Sequence, residues 1–119
     1  MSANPRPVGI KAPHGAEWFE VQWEAGSPSR IPNRILRGYC PCAGCQGHAG
    51  SITYQTGRDS VIKDIEQVGN YALRLVWGDS HGTGLYTFTY LKQLGDLVAI
   101  HGEQLQDVFP VLPPRTATL

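Results

Sequence analysis

All three cysteines of this 119-residue chain, Cys40, Cys42 and Cys45, fall within six consecutive positions. Thiolates this close together can supply three ligands to one metal ion, but a closed tetrahedral site needs a fourth. Zinc suits such a site because it accepts thiolate and imidazole donors together. An iron–sulfur cluster is the alternative, since cysteine thiolates hold these clusters too. The cysteines could also be three buried or reactive thiols without a metal, but their close spacing argues against this interpretation.

The candidates for a fourth ligand are the four histidines, His14, His48, His81 and His101. His48 lies only three residues beyond Cys45, which is a feasible spacing. His81 lies in a predicted hairpin loop that could lean over the cysteines. Spacing alone does not separate these two, whereas His14 and His101 are expected to be surface residues.

The segment before the cysteines is predicted to form strands. Residues 18–23 are aromatic, β-branched and alternating, which is typical of a strand. A short strand is predicted before them at residues 8–12. A turn with a glycine at residues 25–27 and a return strand at 29–31 complete a hairpin.

A short helix is predicted to lead into the cysteines. Pro32 is favourable at the first helical position, and residues 33–39 carry apolar side chains at helical spacing. Residues 41–50 contain three glycines and are predicted to form a loop that curls around a metal ion. Residues 51–60 are polar and are predicted to form an exposed connection.

A second group of strands follows. Residues 61–68 and 71–77 are predicted strands joined by a tight Gly-Asn turn at 69–70. Residues 78–82 are predicted to form a hairpin loop, and 83–87 the returning strand. The aromatic side chains on these elements are assigned to core packing because they follow strand alternation: Trp18, Trp23, Tyr71, Trp77 and Tyr86.

The last part of the chain is predicted to be helical. Thr89 can cap a helix that continues through Leu91, Leu94 and Val98, and residues 102–109 add a further turn or two. Elsewhere, Arg37 and Arg74 are assigned to structural salt bridges.

These elements together predict one α+β domain, a small antiparallel β-sheet with a few short helices, one of them leading into the Cys-rich metal loop. The domain is placed at residues 8–109. A flexible lead-in is expected at 1–7, and a flexible, dispensable tail at 110–119, which contains three prolines.

Composition excludes several kinds of partner. Ten basic residues balance ten acidic ones, so no basic excess indicates nucleic acid. No apolar run reaches the roughly 18 residues of a membrane-spanning helix. An odd number of cysteines argues against a disulfide framework. The expectation is a cytoplasmic protein with reduced thiols, which binds neither nucleic acid nor membranes.

Four stretches resemble a known family, the DUF971 family in its stand-alone bacterial form, also described as the N-terminal domain of gamma-butyrobetaine hydroxylase. They occur in the family's order and span roughly residues 8–95. The stretches are Leu36-Arg37-Gly38-Tyr39-Cys40-Pro41-Cys42-Ala43-Gly44-Cys45, Val68-Gly69-Asn70-Tyr71-Ala72-Leu73, Trp77-Gly78-Asp79-Ser80-His81-Gly82-Thr83-Gly84-Leu85-Tyr86 and Tyr90-Leu91.

The resemblance implies a zinc site. In the hydroxylases this domain binds zinc through three cysteines and a histidine, which correspond here to Cys40, Cys42, Cys45 and His81. Their separate iron- and 2-oxoglutarate-dependent catalytic domain has no counterpart in this sequence, so the chain is expected not to be an enzyme. A related domain is fused to scaffold ATPases of iron–sulfur assembly in plants. The expected role is therefore a zinc-binding module that contacts a protein partner, and an iron–sulfur or metal carrier is the alternative.

Overall fold

The computed structural model describes residues 6–13, 15–41, 52–56, 59–78, 81–82 and 84–112. Within these ranges the chain is α+β, as predicted, but its strands form two antiparallel three-stranded sheets where the sequence predicted one. The first sheet contains β1 (Pro7–Lys11), β2 (Trp18–Trp23) and β3 (Ser29–Pro32). The second contains β4 (Ile62–Val68), β5 (Ala72–Trp77) and β6 (Leu85–Thr87). Strand pattern predicts each strand, but not which strands pair across an intervening helix and loop.

The first sheet has the order β1-β2-β3. Phe19 and Val21 of the central strand are fully buried, as expected of a strand covered on its core face. On the other face, the exposed Arg30 pairs with the buried Glu20 at 3.2 Å and lies 4.0 Å from the ring centre of Trp18. This cluster ties the second strand to the third.

The second sheet has the order β4-β5-β6, with the core face of β5 formed by alternating apolar residues. Leu75 and Trp77 are fully buried. Tyr71 was predicted to share this face, but it is half exposed because it lies in the turn before β5 begins. Burial of Trp23, Trp77 and Tyr86 confirms that these aromatic residues belong to the core.

The helix before the cysteines is α1 (Asn33–Gly38), and Pro32 is its N-cap rather than its first helical residue. The C-terminal helix α2 (Phe88–His101) begins earlier than predicted. Its cap is Thr87, not Thr89, because the Thr87 hydroxyl accepts a hydrogen bond from the Tyr90 amide at 3.1 Å.

A 3₁₀ turn (Gly102–Gln104) and the short helix α3 (Leu105–Val108) follow α2, which confirms the predicted additional helical turns. Among the described residues, no helix has the length and apolar character needed to cross a membrane.

Two connections differ from the sequence-based expectation. Residues 52–55 were expected to be part of an exposed connection, and residue 110 to open a flexible tail. Instead, Thr53 and Val111 form an antiparallel bridge, and Leu112 is buried in the core. The sequence signal was misleading here because prolines and polar residues do not exclude main-chain pairing. Residues 113–119 lie outside the described ranges.

Candidate metal centre

Two of the four predicted ligands meet in the structure, although they are 41 residues apart. The Sγ atom of Cys40 lies 3.4 Å from Nε2 of His81. The Cys40 side chain is fully buried, whereas His81 is partly exposed. The contact therefore joins the end of α1 to the loop between β5 and β6.

Cys40 is positioned by tyrosine hydroxyls that reach the end of α1 from other elements. Tyr86 donates to the Leu36 carbonyl at 2.6 Å, and Tyr90 donates to the Tyr39 carbonyl at 2.6 Å. The last carbonyls of a helix have no partner within the helix, so outside donors stabilise them. These bonds connect β6 and α2 to the residues just before Cys40.

His81 is positioned by the sheet beneath its loop. The Trp77 amide donates to the His81 carbonyl at 2.9 Å, and Nη1 of Arg74 donates to the Gly82 carbonyl at 3.2 Å. Arg74 also pairs with Glu66 at 2.7 Å, which confirms its predicted salt bridge. The same guanidinium therefore anchors the loop that carries His81.

Gly84 leaves the space that this contact needs. A Cβ atom at Gly84 would lie 2.6 Å from Sγ of Cys40, closer than real Cβ atoms approach a neighbour. A side chain at position 84 would therefore separate the loop between β5 and β6 from Cys40. The glycine allows the two segments to touch.

Residues 42–51, which include Cys42 and Cys45, lie outside the described ranges, but the residues on either side of them meet each other. The Gln55 amide donates to the Gly38 carbonyl at 2.8 Å. The rings of Tyr39 and Tyr54 pack edge to face with their centres 4.9 Å apart. A Cβ atom at Gly38 would lie 2.1 Å from the Tyr54 ring, so this approach also requires a glycine.

Burial changes the acidity of the tyrosines around Cys40. It raises the pKa of Tyr86 well above its ordinary value, and the neighbouring Cys40 adds to this effect. Burial, followed by the nearby Tyr54, raises the pKa of Tyr39 to about 12. Both hydroxyls therefore remain protonated donors even at alkaline pH values at which an ordinary tyrosine begins to ionise.

The remaining candidates are only partly covered by the structure. Cys42, Cys45, His48 and His14 lie outside the described ranges. Within those ranges, no group of three or more histidine, cysteine, aspartate and glutamate side chains is arranged to hold a metal ion. His101 packs against the ring of Phe109 with the ring centres 5.4 Å apart, far along the chain from the cysteines.

The Cys40–His81 contact is compatible with shared coordination of zinc. Tetrahedral zinc with ordinary Zn–S and Zn–N bonds holds a sulfur and a nitrogen ligand about 3.5 Å apart. The observed 3.4 Å agrees with that separation, and one thiol plus one imidazole is half of a Cys₃His donor set. A direct thiol–imidazole hydrogen bond has a similar length.

Sequence reasoning singled out Cys40 and His81, which meet in the structure, but missed the residues that support their contact. Tyr86 was assigned to core packing and Tyr90 was given no role, although buried tyrosines usually place their hydroxyl on a hydrogen-bond partner. That tendency could have indicated a polar role, but not the carbonyl each would reach. Gly84 and the bond from Arg74 to the loop had no signal in the sequence.

Comparison with known proteins establishes the family to which this chain belongs. The family model described as gamma-butyrobetaine hydroxylase-like, N-terminal, matches residues 10–92. The chain belongs to this family, and the resemblance drawn from its motifs is confirmed. No protein among those with curated descriptions matches the chain.

Solved structures show the same relationship. The chain is similar to a crystal structure of a DUF971-family protein of unknown function from Acidithiobacillus ferrooxidans, with 32% identity and a TM-score of 0.62, covering 76% of this chain and 92% of that one. An NMR solution structure has 29% identity and a TM-score of 0.65, covering 91% and 87%. A second NMR structure, at 21% identity, TM-score 0.61 and coverage of 90% and 80%, shows the fold alone.

Proposed function

We propose that this protein is a non-catalytic zinc-binding module that acts through contacts with a protein partner. The ligands are Cys40, Cys42, Cys45 and His81. The observation that supports the proposal is the 3.4 Å contact between Cys40 and His81, since it joins the cysteine motif to a distant histidine. The contact of His81 with Cys40 supports His81 as the fourth ligand.

A zinc ion held by four protein ligands has no open position for water or substrate, so it stabilises structure and does not catalyse a reaction. The burial of Cys40 fits this role. In the proposed site, zinc would join α1, the cysteine loop and the loop between β5 and β6. The protein would then work as a cytoplasmic binding module, without enzymatic activity of its own.

The proposed setting is an accessory role in iron–sulfur cluster assembly, and it rests on the family resemblance alone. A carrier of clusters or metal ions would use the same cysteines but would have to release its cargo. The buried sulfur of Cys40 favours retention. The carrier is therefore treated as an outcome of the test.

The test begins with anaerobic purification of the full chain without added metal, followed by elemental analysis and visible absorption. We expect one zinc ion per chain and no visible absorption, because zinc is colourless. Iron with sulfide and visible absorption would instead establish the carrier. A chain that holds no metal under reducing conditions would overturn the site.

The ligand set is tested by paired substitutions. His81→Ala should reduce zinc affinity by about 10- to 100-fold or more, since it removes a ligand rather than a residue behind one. The matched control His48→Ala should leave zinc affinity unchanged. Cys42→Ser should also weaken binding. If His48→Ala releases the metal and His81→Ala does not, the fourth ligand is His48.

A further inference from the structure

A cavity of about 670 Å³ lies between the first sheet and the start of β4. Its described lining comes from the connection before β2, from the junction of β3 with α1 and from the start of β4, and it includes Ala16, Trp18, Pro32, Asn33, Val61 and Ile62. Ligand pockets in proteins usually have volumes of about 300–1,000 Å³. None of the described lining residues is a proposed zinc ligand, so this cavity is distinct from the metal centre.

Hydrogen bonds hold the walls of this cavity in place. The Asn33 amide donates to the Glu17 carbonyl at 2.9 Å, and Nδ2 of Asn33 donates to the Ala16 carbonyl at 3.0 Å. At the start of β4, the Gly78 amide donates to the Val61 carbonyl at 2.8 Å. The cavity is therefore preformed, as most small-molecule sites are.

The lining contains apolar surface that remains in contact with water. Trp18 is partly exposed, and Val61 is 63% exposed. The guanidinium of Arg30 lies 4.0 Å from the ring centre of Trp18 and steadies that ring. Removing apolar surface from water is favourable, and an aromatic ring has a flat apolar face that can cover it. The lining therefore favours a ligand that contains an aromatic ring.

The charges on the lining favour an uncharged ligand. Arg30 is paired with Glu20 at 3.2 Å, and Arg34 is paired with Glu103 at 3.5 Å. Glu17 also lines the cavity, but it is exposed, and an ion pair with a hydrated carboxylate contributes little. A charged ligand would lose water here without gaining a strong ion pair in return, which is unfavourable.

We propose that this cavity is a binding site for a small, uncharged aromatic molecule. The ring of the ligand would pack against Trp18 and Val61, in a space that the surrounding hydrogen bonds have already shaped. The proposal goes beyond the proposed function, because it requires neither zinc nor a protein partner.

The class of ligand is tested with three molecules of nearly the same shape but different charge: benzamide, benzoate and benzamidinium. Each is titrated into the isotope-labelled full chain, and the backbone amide chemical shifts are followed by NMR. We expect saturable shifts of the Ala16, Val61 and Ile62 amides with benzamide, and about tenfold weaker binding of both charged molecules. Benzoate or benzamidinium binding as tightly as benzamide would overturn the uncharged class. No saturable shift with benzamide would overturn the site.

The location is tested by Val61→Ala and the matched control Val108→Ala. Both valines are exposed, at 63% and 50%, and of the two it is Val61 that lines the cavity. We expect Val61→Ala to weaken benzamide binding about fivefold, since it removes apolar surface that the ligand would cover. Val108→Ala should leave the affinity unchanged, and both surface substitutions should preserve the fold. Equal benzamide affinities in the two variants would overturn the inference, because the ligand would then bind elsewhere.

Discussion

The chain on the amino side of residues 42–51 is held by side-chain hydrogen bonds, and the chain on their carboxyl side by main-chain hydrogen bonds. At the amino end, the buried hydroxyls of Tyr86 and Tyr90 bind carbonyls at the end of α1. At the carboxyl end, amide–carbonyl bonds join residues 52–54 to residues 110–112. Side-chain bonds require particular residues, whereas main-chain bonds require only backbone that can pair. The amino end should therefore be the more sensitive to substitution.

The largest loss of stability is expected where Gly38 touches the Tyr54 ring. Gly38→Ala would place a methyl group 2.1 Å from the Tyr54 ring, so the ends would have to separate. We expect a loss of about 3 kcal/mol in the free energy of unfolding, at the upper end of overpacking costs. Chemical denaturation measures this loss. Adding Tyr54→Ala should recover part of it, and a purely additive double variant would contradict the contact.

Gly84→Ala should have the next largest effect, at the Cys40–His81 contact. The added methyl group would meet Cys40 Sγ at 2.6 Å. The expected loss of stability is about 2 kcal/mol, accompanied by weaker zinc binding, because Cys40 must move. In the matched control Gly82→Ala, the methyl group would instead meet a partly buried Val76 side chain at 3.2 Å. Equal zinc affinities in the two variants would show that Gly84 is not needed for the site.

A smaller loss of stability is expected when a hydrogen bond at the end of α1 is removed. Tyr86→Phe removes the donor to the Leu36 carbonyl without changing the packing of the ring, and it leaves a buried acceptor without this bond. We expect a loss of about 1–2 kcal/mol, detected as a lower Tm. The control Tyr71→Phe removes the hydroxyl of a half-exposed ring and should leave Tm unchanged. Equal Tm values for the two variants would show that the Tyr86 hydroxyl does not stabilise the end of α1.

The smallest effect is expected at the carboxyl end. The Tyr54 hydroxyl accepts only a long hydrogen bond, 3.5 Å, from Arg34. The main-chain amide of Tyr54, which a side-chain substitution leaves in place, donates to the Pro110 carbonyl. Tyr54→Phe should therefore change the free energy of unfolding by less than about 0.5 kcal/mol. Denaturation in parallel with Tyr86→Phe measures the difference between the two ends. A loss in Tyr54→Phe as large as in Tyr86→Phe would contradict the comparison.

Local pattern was a good guide to individual elements. The alternation in residues 18–23 and 71–77 predicted β2 and β5, and the helical spacing before the cysteines predicted α1. The errors are one- or two-residue shifts, as at Thr87, where two threonines could both cap a helix. Pattern failed at residues 52–55 and 110–112, because their pairing uses backbone groups that every sequence supplies.

The sequence by itself determined the family and the α+β class, and it supplied the thiols on which the proposed metal site depends, because three cysteines within six positions and the surrounding motifs are local facts. Tertiary structure decided that His81 meets Cys40, that tyrosines from β6 and α2 support the end of α1, and that the Tyr39 hydroxyl reaches the Phe109 carbonyl. These contacts join residues 41 to 70 positions apart. Which distant groups meet depends on how both sheets and α2 pack into one core, and no local pattern encodes that packing.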